Sequence, residues 1–100
     1  MLLREIAHAR TGDKGSLVTI SVIAYQEKDF KLLEKRVTAE RVAELFAEIV
    51  KGPVERYVLP NLSALNFVLR RAETQNVTRS LALDAHGKCL GSALLAMEID

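Results

Sequence analysis

Two stretches near the start of the chain alternate apolar and polar positions, which predicts two strands. In residues 2–9 the alternation places Ile6, His8 and Arg10 on one side of a first strand. Residues 17–24 are rich in β-branched side chains, as strands usually are. The pattern of this second strand predicts that one face carries Thr19 and Ser21 and the other carries Val18, Ile20 and Val22.

The middle of the chain has the spacing of an amphipathic helix. Its apolar residues recur at i, i+3, i+4, i+7 and i+8, and they are Val42, Leu45, Phe46, Ile49 and Val50. Thr38 is placed to cap the N-terminus, with Glu40 in the first turn. Lys51, Gly52 and Pro53 predict a cation near the C-terminus, a left-handed cap and a stop.

Two further predictions concern the residues before this helix and its polar side. Asp29–Lys35 predicts a helical turn or two before it. The polar side of the helix is interpreted as a surface in contact with water, and it carries Arg41, Glu44 and Glu48.

The second half of the chain predicts two strands separated by a helix. Val54–Leu59 predicts a third strand that ends at Pro60. Asn61 is then placed to cap a largely buried helix that runs to about Arg71, because its residues are apolar on most sides. Arg79–Leu83 predicts a fourth strand.

The last segment fits both helix and strand spacing. Leu90, Ala93, Leu94 and Met97 have helical spacing, whereas Cys89, Ala93, Leu95, Met97 and Ile99 share one face of a strand. Asp84–Lys88, with Gly87 near its end, is typical of a hairpin with a bulge, which favours a fifth strand. The predicted order is therefore ββαβαββ, an α+β fold with an antiparallel or mixed sheet and helices on one face.

Composition fits one globular domain spanning residues 1–100. The chain is 49% apolar and 27% charged, which argues against disorder. Its 14 basic and 13 acidic residues give a net charge of +1, and aromatic residues make up only 5% with no Trp. We expect no nucleic-acid partner, because such a protein needs a clustered basic surface or a stacking platform.

Cysteine and histidine content leaves no basis for a metal site. Cys89 is the only cysteine and is interpreted as a small apolar residue, while His8 and His86 are the only histidines. We therefore expect no metal and no cofactor. Arg4 and Glu5 introduce charge too early for the apolar core of a signal peptide, and no apolar run reaches the ~20 residues of a membrane span. A cytoplasmic location without membrane attachment is expected.

The densest group of polar residues is the predicted loop between the first two strands. The candidate ligand-binding residues here are His8, Arg10, Gly12, Asp13, Lys14 and Gly15. The two glycines would let backbone N–H groups converge on an anion, with two cations beside them. The carboxylate of Asp13 opposes that reading, and a simple tight connection between strands explains the same residues equally well. The spacing is not that of a Walker A loop.

Two further candidates, Asn66 and Arg79, lie outside this loop, and His8 within it could also take part in catalysis. Asn66 interrupts an apolar segment, so its carboxamide needs a partner, either a neighbouring backbone or a ligand. Arg79 could reach an anion, although an arginine in contact with water is commoner. His8 could act as a general base, but a hydrogen-bonding role is more frequent at a strand end. No nucleophile motif is present, so catalytic residues stay unassigned.

Several stretches together resemble the AtuA-like ferredoxin-fold domain. They are His8–Gly15, Val50–Tyr57, Leu59–Phe67, Thr78–Asp84 and Gly87–Lys88. In that family the domain is found at the C-terminus of a larger acyclic-terpene-utilisation protein or as a separate small chain. The resemblance implies a ferredoxin-like α+β fold, a larger AtuA-type partner chain, and a link to catabolism of acyclic terpenes or related acyl-CoA compounds. It supplies no established catalytic residue.

Three functions follow, in order of preference. The first is an accessory or interaction domain, because a sheet covered on one face exposes residues such as Leu17 and Ile23 on the other. The same feature predicts a homo-oligomer, most simply a two-fold dimer. The second is binding of a small anion, a phosphate or an acyl-CoA. The third is a free-standing enzyme that uses His8.

Overall fold

The computed structural model describes residues 1–14, 16–47, 50, 52–70 and 88–99. Its first two strands form an antiparallel hairpin, with β1 at Ala7–Lys14 and β2 at Leu17–Ala24. The bounds predicted for the second strand are confirmed, and its alternate residues are buried as expected. The first strand is longer than predicted, because the pairing with β2 continues to the end of β1.

The predicted polar loop is therefore wrong over residues 11–14, which belong to β1. Gly12 pairs with Thr19 and Asp13 with Val18 in an unbroken register. A strand that borders a well-formed neighbour satisfies its backbone groups in the ladder, and this outweighs the turn tendency of a single glycine.

Two short helices follow, α1 at Phe30–Arg36 and α2 at Ala39–Leu45, with a 3₁₀ turn at Glu27–Asp29 before them. The predicted N-cap is confirmed, since the Thr38 hydroxyl accepts a hydrogen bond from the Arg41 N–H at 3.2 Å. Gly52 has the predicted left-handed conformation, with φ at 77°, but it does not cap the helix, because α2 already ends at Leu45.

The second helix is shorter than its apolar stripe predicts. It ends at Leu45, which is 43% exposed, because Phe46 leaves helical geometry with φ at −108° and ψ at 26°. The expectation that Arg41 only faces water is wrong, because its guanidinium donates to the backbone carbonyls of Arg36 and Glu98. This side chain therefore ties the end of α1 to the C-terminal segment.

The next two strands form a second antiparallel hairpin. β3 spans Glu55–Leu59 and β4 spans Ala64–Arg70, joined by a 3₁₀ turn at Pro60–Leu62 and a left-handed Ser63 with φ at 51°. The predicted third strand is confirmed. The predicted helix over residues 61–71 is wrong, because these residues form a central strand that pairs with β2 on one edge and β3 on the other.

The four strands form one antiparallel sheet in the order β1-β2-β4-β3. One face of the sheet meets the helices and forms the core, which confirms the α+β class. The buried residues of the two central strands on this face are Val18, Ile20, Val22, Leu65, Phe67 and Leu69. Phe30, Leu33, Val42 and Leu94 bring the helices into the same apolar cluster.

The last helix, α3 at Lys88–Leu95, packs against β1. The predicted fifth strand is therefore wrong, and the helical spacing of the segment decides its structure. Close packing is possible because residue 91 is a glycine, at which a Cβ would lie 3.1 Å from the Thr11 hydroxyl. The strand predicted at residues 79–83 and the hairpin loop at residues 84–87 lie outside the described residues.

None of the helices in the described ranges has the length and apolar character needed to cross a membrane.

The N-terminal residues pair with the segment after α3. The Leu3 N–H donates to the Met97 carbonyl at 2.8 Å, and the Ile99 N–H donates to the Met1 carbonyl at 3.0 Å. Both ends of the described chain are thus held by the core.

Arg56 joins the edge strand β3 to the end of α1. Its Nη1 donates to the Glu34 carbonyl at 2.8 Å and to the Val37 carbonyl at 2.7 Å. Carbonyls at the end of a helix have no partner within the helix, so an arginine there satisfies groups that would otherwise need water.

We expect Arg56→Met to lower the free energy of unfolding by about 1–3 kcal/mol, because the part-buried carbonyls lose a charged donor while the aliphatic stem is retained. Urea denaturation measures the change. Arg70→Met is the matched control, since Arg70 lies exposed at the end of β4, and its effect should stay within about 0.5 kcal/mol. Equal effects of the two substitutions would contradict a specific role for Arg56.

Candidate functional site

Alternate residues of all four strands point away from the core and form the second face of the sheet, here called the open face. The register aligns them in rows that cross the strands from β1 to β3. The described helices place their buried residues on the opposite face. The rows are Gly12, Thr19, Val68 and Glu55; Arg10, Ser21, Asn66 and Tyr57; and His8, Ile23, Ala64 and Leu59; a shorter fourth row, Leu17 and Arg70, lies beyond the first on β2 and β4.

The middle row is polar across the whole sheet. The Ser21 hydroxyl donates to Oδ1 of Asn66 at 3.1 Å, and both side chains are half-buried. The structural role expected for Asn66 is therefore supported. Its partner is a side-chain hydroxyl on the neighbouring strand, whereas a backbone group was expected. The amide nitrogen of Asn66 has no hydrogen bond within the described part of the chain, so its two donors can serve another molecule.

Arg10 is the cation of this row. It is exposed at the edge strand, and among the described residues it has no ion-pair or hydrogen-bond partner. A planar guanidinium in that state can offer parallel donors to a carboxylate or a phosphate. Arg10 is thus an exposed cation at the β1 edge of the open face.

His8 occupies the next row and is held by an aromatic contact. Its ring stacks on Tyr25, with the centroids 5.3 Å apart and the ring planes at 26°. Within the described ranges no carboxylate orients the imidazole, which a general base would normally need. The contact therefore favours a role for His8 in shaping the surface.

Gly12 is explained by its neighbour on β2. A Cβ at this position would lie 2.8 Å from the Thr19 hydroxyl oxygen, closer than real side chains come. Gly12 belongs to the β1 ladder, and among the described glycines only Gly52 has positive φ. The predicted turn of converging N–H groups at Gly12 is therefore wrong, and the glycine serves close packing on the open face.

The opposite edge of the open face carries an acid. On β3, the Tyr57 hydroxyl donates to Oε1 of Glu55 at 2.6 Å. This hydrogen bond raises the pKa of Tyr57 above its usual value of 10.0, and the negative charge of Glu55 acts in the same direction. A cation on β1 and an acid on β3 thus occupy opposite edges of the same face.

Four of the predicted site residues come together on the open face, namely His8, Arg10, Gly12 and Asn66. Asp13 and Lys14 are described only by their backbone pairing in β1. Gly15 and Arg79 lie outside the described residues. Sequence reasoning missed four further polar residues of the open face, namely Thr19, Ser21, Glu55 and Tyr57. The alternation of β2 already separates Thr19 and Ser21 from the core face.

A second feature lies at the end of the sheet where β2 ends and β4 begins. Three large apolar or aromatic side chains are exposed there, Tyr25 at 63%, Leu59 at 38% and Leu62 at 65%. We call them the hairpin-end patch. A shallow depression of about 350 Å³ lies beside them, lined by residues 58–62. This surface differs in character from the polar middle row.

The described residues contain no group of three or more His, Cys, Asp or Glu side chains that could hold a metal ion.

Together these observations define an α+β domain in which the described helices cover one face of the sheet and no described element covers the other. The family model of the AtuA ferredoxin-like domain matches residues 1–100. The chain belongs to this family, and the expected resemblance and the ferredoxin-like fold class are confirmed. No curated protein and no solved structure matches the chain.

We expect Asn66→Leu to lower the free energy of unfolding by about 1 kcal/mol, because the half-buried Ser21 hydroxyl loses its acceptor. A Ser21→Ala substitution in the same chain should recover part of this loss, since removing both partners leaves no polar group unpaired. Denaturation of the two single variants and the double variant measures the coupling. Strictly additive effects would show that the hydrogen bond contributes nothing.

Proposed function

We propose that this chain is an accessory interaction domain that binds a larger AtuA-type chain, in the catabolism of acyclic terpenes or related acyl-CoA compounds. We also propose that it acts in the cytoplasm. Membership of the family supports the partner and the pathway. The observation that carries the interaction role is the hairpin-end patch, in which Leu62 is 65% exposed.

The hairpin-end patch has the character of a docking surface. Single exposed apolar residues are common, but Tyr25, Leu59 and Leu62 lie at one end of the sheet. Each Å² of apolar surface removed from water contributes about 25 cal/mol, so covering large side chains rewards association. Aromatic residues such as Tyr25 are also enriched at interfaces.

The depression beside the patch adds shape to this surface. It lies along the 3₁₀ turn, whose left-handed Ser63 fixes the path of the chain back into β4. A partner side chain that enters a preformed hollow loses less free energy to ordering than one that meets a mobile surface. The fold therefore supplies both an apolar contact and a hollow at the same place.

Leu62→Asp should weaken binding to a purified larger AtuA-type chain at least tenfold, because a carboxylate would be desolvated in the interface. Leu45→Asp is the matched control, since Leu45 is 43% exposed on α2, outside the patch, and it should leave binding unchanged. Surface plasmon resonance measures both variants. Absence of binding by the wild type, or equal binding by both variants, would contradict the proposal.

The second candidate is binding of a small anion, an acyl-CoA or a phosphate, on the open face. It is favoured by unused donors in one region, namely the guanidinium of Arg10 and the amide of Asn66, beside the hydroxyl of Thr19. Arg10 faces no acid within its own row, and Glu55 lies on the far edge of the sheet. An anion near β1 would therefore meet a positive charge that is not already neutralised.

For this second candidate, calorimetric titration with phosphate and with coenzyme A should release heat with the wild type. The double variant Arg10→Ala, Lys14→Ala should bind at least tenfold more weakly, with a loss of salt dependence. Lys31→Ala, Arg36→Ala removes the same charge from exposed positions on α1 and should bind like the wild type. No heat with either compound would remove this candidate.

A further inference from the structure

We propose that a second copy of this chain covers the open face in a two-fold dimer, with Arg10 of each copy against Glu55 of the other. The two-fold axis lies between the two sheets and runs parallel to the strands. This inference goes beyond the proposed function, which uses the hairpin-end patch. The open face itself supplies the argument, because its charges and hydrogen-bonding groups are self-complementary under one particular rotation.

Two opposite charges of the open face lie on opposite edges, and a further cation, Arg70, lies at the end of β4, one row from Glu55. Arg10 is on β1 and Glu55 is on β3, with β2 and β4 between them. Three strand spacings separate the two edges by about 14 Å, too far for the side chains to pair within one sheet. Both residues are exposed. Each therefore lies within reach of a molecule that covers this face, and Glu55 also accepts the hydrogen bond of Tyr57.

The direction of the axis follows from these positions. Rotation about an axis parallel to the strands exchanges the two edges, so β1 of one copy lies over β3 of the other. Arg10 then faces Tyr57 in the same row and Glu55 in the adjacent row of the second copy. An axis perpendicular to the strands would instead place β1 over β1 and bring cations together, which costs free energy.

The same rotation matches the polar groups of the two central strands. It places Ser21 of one copy opposite Asn66 of the other. The amide donors of Asn66 are unused within the described part of the chain, and the Ser21 oxygen has lone pairs left after donating to its own Asn66. The middle row can thus pair across the interface, whereas a purely apolar partner would leave its polar groups without hydrogen bonds.

The apolar residues of the open face lie beside this row and become the dry part of the interface. They are the half-buried Ile23 and Val68, with Leu17 at one end. Two sheets can stack about 10 Å apart with their strands within about 30° of each other. The long stem of Arg10 can reach across such a gap to an acid one row away.

The size of the face sets the expected strength. Four strands of about seven residues give a surface of roughly 19 by 23 Å, so a dimer would bury about 900 Å² in total, below the range of stable interfaces. We therefore expect a dimer that dissociates on dilution. Sedimentation equilibrium between 1 µM and 1 mM protein, in buffer of low ionic strength, should show a reversible monomer–dimer equilibrium.

Charge reversal tests the pairing directly. Arg10→Glu and Glu55→Arg should each weaken the homodimer at least tenfold, because each variant faces like charges across the two-fold axis. An equimolar mixture of the two single variants should form a heterodimer, since every contact between them then joins opposite charges. A chain with both substitutions should form a homodimer again, with the direction of both pairs reversed.

Two control variants separate this pairing from a general effect of charge. Lys35→Glu and Glu44→Arg alter exposed positions on α1 and α2 and should leave dimerisation unchanged. Circular dichroism confirms that each variant is folded. Leu62→Asp should also dimerise normally, so a failure of the partner chain to bind and a failure to dimerise are distinguishable.

Three results would overturn the inference. They are a wild type that stays monomeric at 1 mM, an Arg10→Glu variant that dimerises like the wild type, and a mixture of the single variants that does not associate. Glu55→Arg also separates this inference from anion binding. That variant should strengthen binding of an anion by adding positive charge, yet it should break the homodimer.

Discussion

The pairing of β2 with β4 at the centre of the sheet is the constraint on which the rest of the structure depends. It sets Val18 opposite Leu69, Ile20 opposite Phe67 and Val22 opposite Leu65, so the apolar positions of both strands lie on the same face. A slip of one residue in this pairing would turn the apolar side chains of one strand toward the opposite face of the sheet. The described helices have few buried residues, so they can cover only one face of the sheet.

The same register decides the chemistry of the open face. Because Ser21 and Asn66 are partners across the strands, the polar positions of β2 and β4 also coincide. The outer strands then extend this row to a cation on one edge and a hydrogen-bonded tyrosine on the other. In the proposed dimer, the positions of Arg10 and Glu55 would fix the direction in which the second copy binds.

The surface is also divided along the strands. Its hairpin end carries exposed aromatic and aliphatic side chains, whereas its middle carries polar side chains. The β3–β4 hairpin produces this division, since its 3₁₀ turn projects Leu62 beyond the sheet. One small domain therefore carries two surfaces of different chemical character.

The sequence by itself determined those features that depend on neighbouring residues, such as the alternation of β2, the cap at Thr38 and the left-handed Gly52. Half of the candidate site, including His8, Arg10, Gly12 and Asn66, also came from residue type alone. Only the tertiary structure decided residues 64–70 and 88–95. A central strand that also carries apolar residues on its outer face, here Ala64 and Val68, resembles a buried helix in sequence, and its partners are distant along the chain. The last segment fits two periodicities, and its packing against β1 through Gly91 selects the helix.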